Sequence, residues 1–94
     1  MIKNFNDDLN TAVFTTKFIL EDKDPILYVF HYEEDGSWQF SGNEQKINNN
    51  DYRIVSLQEI INLDESILEI ADLPLEHMAY RKSKKDPWSI NRIL

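Results

Sequence analysis

The chain contains no cysteine, only two glycines and three prolines among its 94 residues, and no apolar run long enough to span a membrane. Each shortage removes a class of function. Without thiols there is no disulfide framework, no thiolate nucleophile and no cysteine-based metal site. Gly36 and Gly42 are too few to build a loop that wraps phosphates in backbone N–H groups. His31 and His77 are the only side chains whose ordinary titration falls near neutral pH, and they do not have the close spacing of paired metal ligands. No nucleophile elbow or triad motif is present. Glu33-Glu34-Asp35 superficially resembles a hard-cation cluster, but consecutive side chains on a strand or turn point apart. The expectation is a chain that is not an enzyme and binds no cofactor or metal. The N-terminal Met-Ile-Lys-Asn-Phe-Asn-Asp-Asp carries acids where a signal peptide needs apolar residues, so cytoplasmic residence is expected.

Charge is abundant and uneven. Residues 1–76 hold sixteen acidic and five basic side chains, a balance of −11, whereas residues 77–94 hold one acidic and five basic, a balance of +4. The net −7 argues against a nucleic-acid partner, because such proteins present a basic face. Arg81 to Lys85 with Trp88 could grip phosphates beneath a stacked base, but the overall field opposes it. An acidic body is instead suited to attracting a basic protein.

The 94 residues are read as one domain, 1–94, whose first ten are a loosely held leader with Phe5 and Leu9 as anchors. A β-prone run over about 12–20 is expected to break near Thr16, and Pro25 marks a turn. Residues 26–42 read as a hairpin. A two-residue Asp35-Gly36 loop would set Glu33 opposite Trp38 and His31 opposite Phe40; a three-residue loop Glu34-Asp35-Gly36 pairs Tyr32 with Trp38 and Phe30 with Phe40, and is preferred because it places Tyr28, Phe30, Tyr32, Trp38 and Phe40 on one face. Asn48 to Asp51 read as a turn and 53–55 as a strand. Ser56 and Glu59 form a capping box for a first helix, and Asp64 starts a second helix, about 65–72, that buries Ile67, Ile70 and Ala71. Residues 76–82 read as a strand with Met78 and Tyr80 inward and Ala79 and Arg81 outward. The tail around Trp88 is expected to pack back on the body. Strands followed by helices and a final strand predict an α+β fold: an antiparallel sheet of four to five strands with two short helices on one face.

Two surfaces emerge as candidate contacts for a basic partner. One is the acidic turn Glu33, Glu34 and Asp35, with Trp38 beside it as an aromatic anchor. The other is an acidic rim in which helical spacing aligns Glu65, Glu69 and Asp72. A different class of function, small-ligand binding, would use a cleft near Trp38, His31 and Trp88.

Three segments carry a family resemblance: Gly-Ser-Trp-Gln-Phe-Ser-Gly at 36–42, Arg-Ile-Val-Ser-Leu-Gln-Glu-Ile at 53–60, and Asp-Glu-Ser-Ile-Leu-Glu-Ile-Ala-Asp-Leu-Pro at 64–74. Together with Ala79-Tyr80-Arg81 and Pro87-Trp88, they resemble small bacterial proteins grouped with the immunity proteins of polymorphic-toxin systems. The resemblance spans roughly residues 12–90. It implies a protein that neutralises a cognate toxin by binding it, and it supplies no catalytic residue.

Overall fold

Thr16 ends the first strand by turning its side chain to the backbone: its hydroxyl accepts from the Ile19 N–H at 3.4 Å and caps the helical turn that follows. The computed structural model describes residues 3–43 and 47–93. Its elements are β1 (Ala12–Thr16), α1 (Lys17–Leu20), β2 (Tyr28–His31), β3 (Trp38–Ser41), β4 (Tyr52–Ser56), α2 (Leu57–Leu63), a 3-10 helix (Glu65–Ile70), β5 (His77–Tyr80) and β6 (Ser89–Arg92). A further 3-10 turn, Asn49–Asp51, leads into β4. The fold is α+β, with six strands in the order β4-β1-β3-β2-β5-β6. Every neighbouring pair is antiparallel except β1 and β3, the second and third strands in the sheet, which run parallel. The sixth strand is β6, formed by the tail that the sequence suggested would pack back.

The hairpin register differs from the expected one by a single residue. His31 pairs with Trp38, Phe30 with Gln39, Val29 with Phe40 and Tyr28 with Ser41. The loop has four residues, 33–36, between the closing pair Tyr32 and Ser37. Gly36 takes the left-handed conformation at φ 72° and donates its N–H to the Tyr32 carbonyl at 3.0 Å, while Asp35 Oδ1 accepts from the Ser37 N–H at 3.0 Å. A one-residue slip sends alternate side chains to opposite faces. Trp38 and Phe40 therefore face the core with Val29 and His31, and Tyr28, Phe30 and Tyr32 face the other way. The expected single aromatic face is split in two. The β5 alternation is also reversed: Ala79 and Arg81 are buried, and Met78 and Tyr80 share the opposite face.

Leu57 and Ile60 from α2 and Ile67 and Ile70 from the 3-10 helix pack against Val13, Val29, Trp38, Phe40 and Ala79. Phe5 closes this layer, its ring edge-on to Trp38 at 5.0 Å. The Asp64 cap and the Ser56 half of the expected capping box are present. Ser56 accepts from the Glu59 N–H at 3.2 Å, and Asp64 accepts from the Ser66 N–H at 3.0 Å.

Asp51 is tied into its turn by the Asn48 N–H at 2.9 Å and by Lys17 at 3.3 Å. The Asn48 N–H, and after it Lys17, hold this carboxyl below its ordinary value against the opposing cost of burial. A carboxyl whose folded pKa is depressed stabilises the fold above its unfolded pKa, and that contribution is lost as pH falls through the folded pKa. Stability is therefore expected to decline below about pH 4. In an Asp51→Asn variant, chemical denaturation at several pH values is expected to show a shallower acid decline.

Candidate functional site

Among the described residues the core-forming helices and Phe5 pack on one side of the sheet, and the register decides what the other side carries, where Gly42, Asn43 and Ile47 flank Tyr28, Phe30 and Ser41. Paired residues share a face, so the pairs Ile54–Phe14, Phe14–Gln39, Gln39–Phe30, Phe30–Met78 and Met78–Asn91 define one row across all six strands. Flanking rows on this face hold Tyr28 with Ser41 and Tyr80, Tyr52 with Thr16, and Ala12 with Ser56. Tyr32 joins them: its ring stacks on Phe30 at 5.9 Å and its hydroxyl donates to Gln39 Oε1 at 3.3 Å.

None of these residues is charged, although 29% of the chain is. All four tyrosines of the sequence, Tyr28, Tyr32, Tyr52 and Tyr80, lie on this face. Both tryptophans lie with the buried clusters instead. Phe14 and Tyr52 are each 37% exposed and Ile54 is 65% exposed. The rings brace one another, with Tyr28 against Tyr80 at 4.8 Å and nearly parallel to Phe30 at 6.3 Å. Burial, and then the nearby Tyr52, push the Tyr32 hydroxyl above its ordinary pKa, so it remains a neutral donor throughout the physiological range. Tyrosine offers a large contact area, a polar tip and little side-chain entropy to lose, which is why it serves well in protein contacts.

The residues singled out from sequence are distributed as follows. Glu33, Glu34 and Asp35 are exposed in the β2–β3 loop, directly after Tyr32. Hydrogen bonds from Ser37 hold the Asp35 carboxyl below its usual range and so favour its anionic form. Trp38 is 1% exposed and is no surface anchor: the register places it under Phe5, with His31 stacked on it at 3.8 Å. The proposed acidic rim is not one continuous patch. Residues 65–70 form a 3-10 helix, in which Glu65 and Glu69, four apart on a three-residue repeat, point in different directions, and Asp72 lies beyond its end. Asp72 pairs with Lys3 at 3.2 Å and Glu76 with Arg92 at 2.9 Å. Asp64 is buried against Arg81 at 2.8 Å.

Arg81 also leaves the candidate phosphate grip. Its Nε donates to the Ile26 carbonyl at 3.1 Å, Nη1 to Ser66 Oγ at 2.8 Å, and the guanidinium lies 4.1 Å over the Trp88 ring. The residues suggested for a small ligand do not converge. His31 and Trp38 line an open cleft of about 250 Å³ with the 71–75 segment, and Trp88 is not part of its wall. His31 Nδ1 is engaged by the Leu73 carbonyl at 2.8 Å. Among the described residues no cluster of His, Asp and Glu is placed to hold a metal ion, and no helix is long and apolar enough to cross a membrane.

The motif residues behind the resemblance thus serve the fold. Gly36 sets the turn, Trp38 and Phe40 fill the core, and Arg81 with Trp88 pins the last strand to the Asp64 cap. The tyrosine face was missed in the sequence because β-alternation is ambiguous until the register is known. No curated protein and no solved structure matches the chain. A family model described as "Immunity protein Imm33 domain" matches residues 13–91, from β1 through β6. By that match the chain belongs to the Imm33 family of immunity proteins.

Proposed function

We propose that this protein neutralises a cognate bacterial toxin by binding it non-catalytically, with the uncharged tyrosine face of the sheet as the contact and the Glu33-Glu34-Asp35 turn as the steering element. The observation that carries the choice of surface is the segregation of all four tyrosines onto the sheet face that no helix among the described residues covers. A protein in this family has to hold a protein partner, and a rigid sheet presenting neutral aromatic side chains does so with little ordering cost. The acidic turn beside Tyr32 and the net charge of −7 favour a basic toxin. Glu65, Glu69 and Asp72 add to the attractive field without having to touch the partner.

The test is co-production with the toxin encoded beside this protein's gene, together with isolation of a one-to-one complex. Growth rescue and a stable complex are expected. Absence of both rescue and binding would refute the reading, as would retention of nucleic acid in place of protein. Steering makes a separate prediction. Changing Glu33, Glu34 and Asp35 together to Gln, Gln and Asn is expected to slow association about tenfold or more at low salt, with dissociation little altered. Stopped-flow association at two ionic strengths measures both effects, and the difference from the parent protein should fade as salt is raised.

A further inference from the structure

We infer that the cavity between the Tyr28 and Phe30 rings and the rim formed by Gly42, Asn43 and Ile47 is a socket for one arginine side chain of the toxin. The owner of that arginine rests on the function proposed above; the capacity of the cavity for a guanidinium does not.

Size limits the occupant first. The cavity measures about 320 Å³ and opens to solvent, at the small end of the ~300–1,000 Å³ typical of ligand pockets. It suits one side chain presented from outside. Tyr28 and Phe30 project from the same face of β2 with their rings within 6° of parallel at 6.3 Å, and Tyr80 braces Tyr28 at 4.8 Å. Gln39 and Ser41 enter from the neighbouring strand β3. Among the described residues no charged side chain lines the cavity. Lys82 stands beyond Tyr80 together with Asp86, on the other flank of that ring.

One polar group in this wall has no use inside the fold. Ser41 is 4% exposed, and its hydroxyl makes no hydrogen bond to any described residue. Its carbonyl is taken by the Leu27 N–H at 2.9 Å, so only the side chain is left over. Buried hydroxyls ordinarily have partners, because leaving one unpaired is costly. The Ser41 side chain shares the face of its pair Tyr28 and so points into the cavity. Gln39 Oε1 accepts from the Tyr32 hydroxyl at 3.3 Å and keeps a second lone pair. Ser41, Gln39 and Asn43 thus set acceptor oxygens beside two aromatic rings.

That combination selects a guanidinium. The group is planar, stacks on aromatic rings, carries N–H donors and no acceptor, and is more weakly hydrated than an ammonium. Its methylene stem lies along Ile47 and the rings. An anion would enter an acidic protein with no cation in the wall to receive it, and an apolar side chain would leave the oxygens without donors. The acidic turn, which begins directly after Tyr32 on the same stack of rings, draws a cation toward the opening.

Titration of the isotope-labelled chain with N-acetyl-arginine amide, followed by amide chemical shifts, tests the socket without the toxin. Saturable shifts are expected at Tyr28, Phe30, Gln39, Ser41 and Asn43, with a Kd of about 1–10 mM. N-acetyl-lysine amide and N-acetyl-leucine amide should bind at least about fivefold more weakly. Ser41→Ala removes only the hydroxyl; it should weaken the arginine probe about threefold or more and leave the thermal melt unchanged. Shifts that fail to saturate, that centre on residues 33–35, or that the lysine probe matches overturn the inference, and so does full-strength binding by Ser41→Ala. If the toxin binds while arginine amide does not, the socket falls and the proposed function stands. If arginine amide binds and the toxin does not, the guanidinium site stands and the toxin reading falls.

Discussion

Replacing Arg81 with alanine is expected to destabilise the fold by about 3–5 kcal/mol, because it strands a buried carboxylate and several carbonyl and hydroxyl acceptors at once. Arg81 is 2% exposed and reaches four elements of the chain: Ile26 ahead of β2, Asp64 and Ser66 at the start of the 3-10 helix, Lys84 in the β5–β6 loop, and the Trp88 ring. A domain of this size is stable by only about 5 kcal/mol, so the variant should retain about 2 kcal/mol or less and be measurably unfolded at 37 °C. Lysine is a poor substitute. It offers one compact ammonium where the site needs a planar fork that donates in three directions and stacks on an indole. Urea denaturation should therefore show Arg81→Lys recovering only a minor part of the loss. If Arg81→Ala cost less than about 1 kcal/mol, the cluster would be no more than a surface-type ion pair.

The cluster also shows how far the sequence could be read. The Asp64 cap, the Ser56–Glu59 cap, the break at Thr16 and the apolar spacing of Ile67 and Ile70 are local signals, and all appear in the structure. Arg81 looked like an exposed residue of a basic run because the partners that bury it, Ile26, Asp64 and Ser66, lie 15 to 55 positions away. The hairpin failed for a related reason. Three loop lengths differ by single residues, and aromatic side chains suit either face of a strand. The outcome follows from the whole sheet: Val29 and Ala79 must meet the helices, which fixes the parity of β2 and β5, and the four-residue loop with left-handed Gly36 brings Trp38 to the same side. The tyrosine face became legible only once that parity was set. The acidic turn needed no such context, since three carboxylates ahead of a glycine are exposed in any of the registers.

The same parity yields the largest expected effect on binding. Phe30→Lys introduces a charge at the centre of the tyrosine face, between Gln39 and Met78, beside the Tyr28 and Tyr32 rings and in the wall of a cavity closed by Gly42, Asn43 and Ile47. Contact energy concentrates in central aromatic positions, and an unpaired ammonium buried there loses its hydration without compensation. Toxin affinity is expected to fall by about 3 kcal/mol or more, at least roughly a hundredfold, mostly through faster dissociation. The fold should tolerate the change, because Phe30 is only half-buried, its lysine replacement can extend to water, and no helix among the described residues packs on that side. Glu69→Lys on the helix side is the matched comparison: it alters the long-range field by the same sign at an exposed site. It is expected to slow association modestly and leave dissociation unchanged. Surface plasmon resonance on both variants separates the two surfaces, with a thermal melt confirming that each is folded. If Glu69→Lys abolished binding while Phe30→Lys bound normally, the contact would lie on the acidic helix side and the tyrosine face would serve another partner.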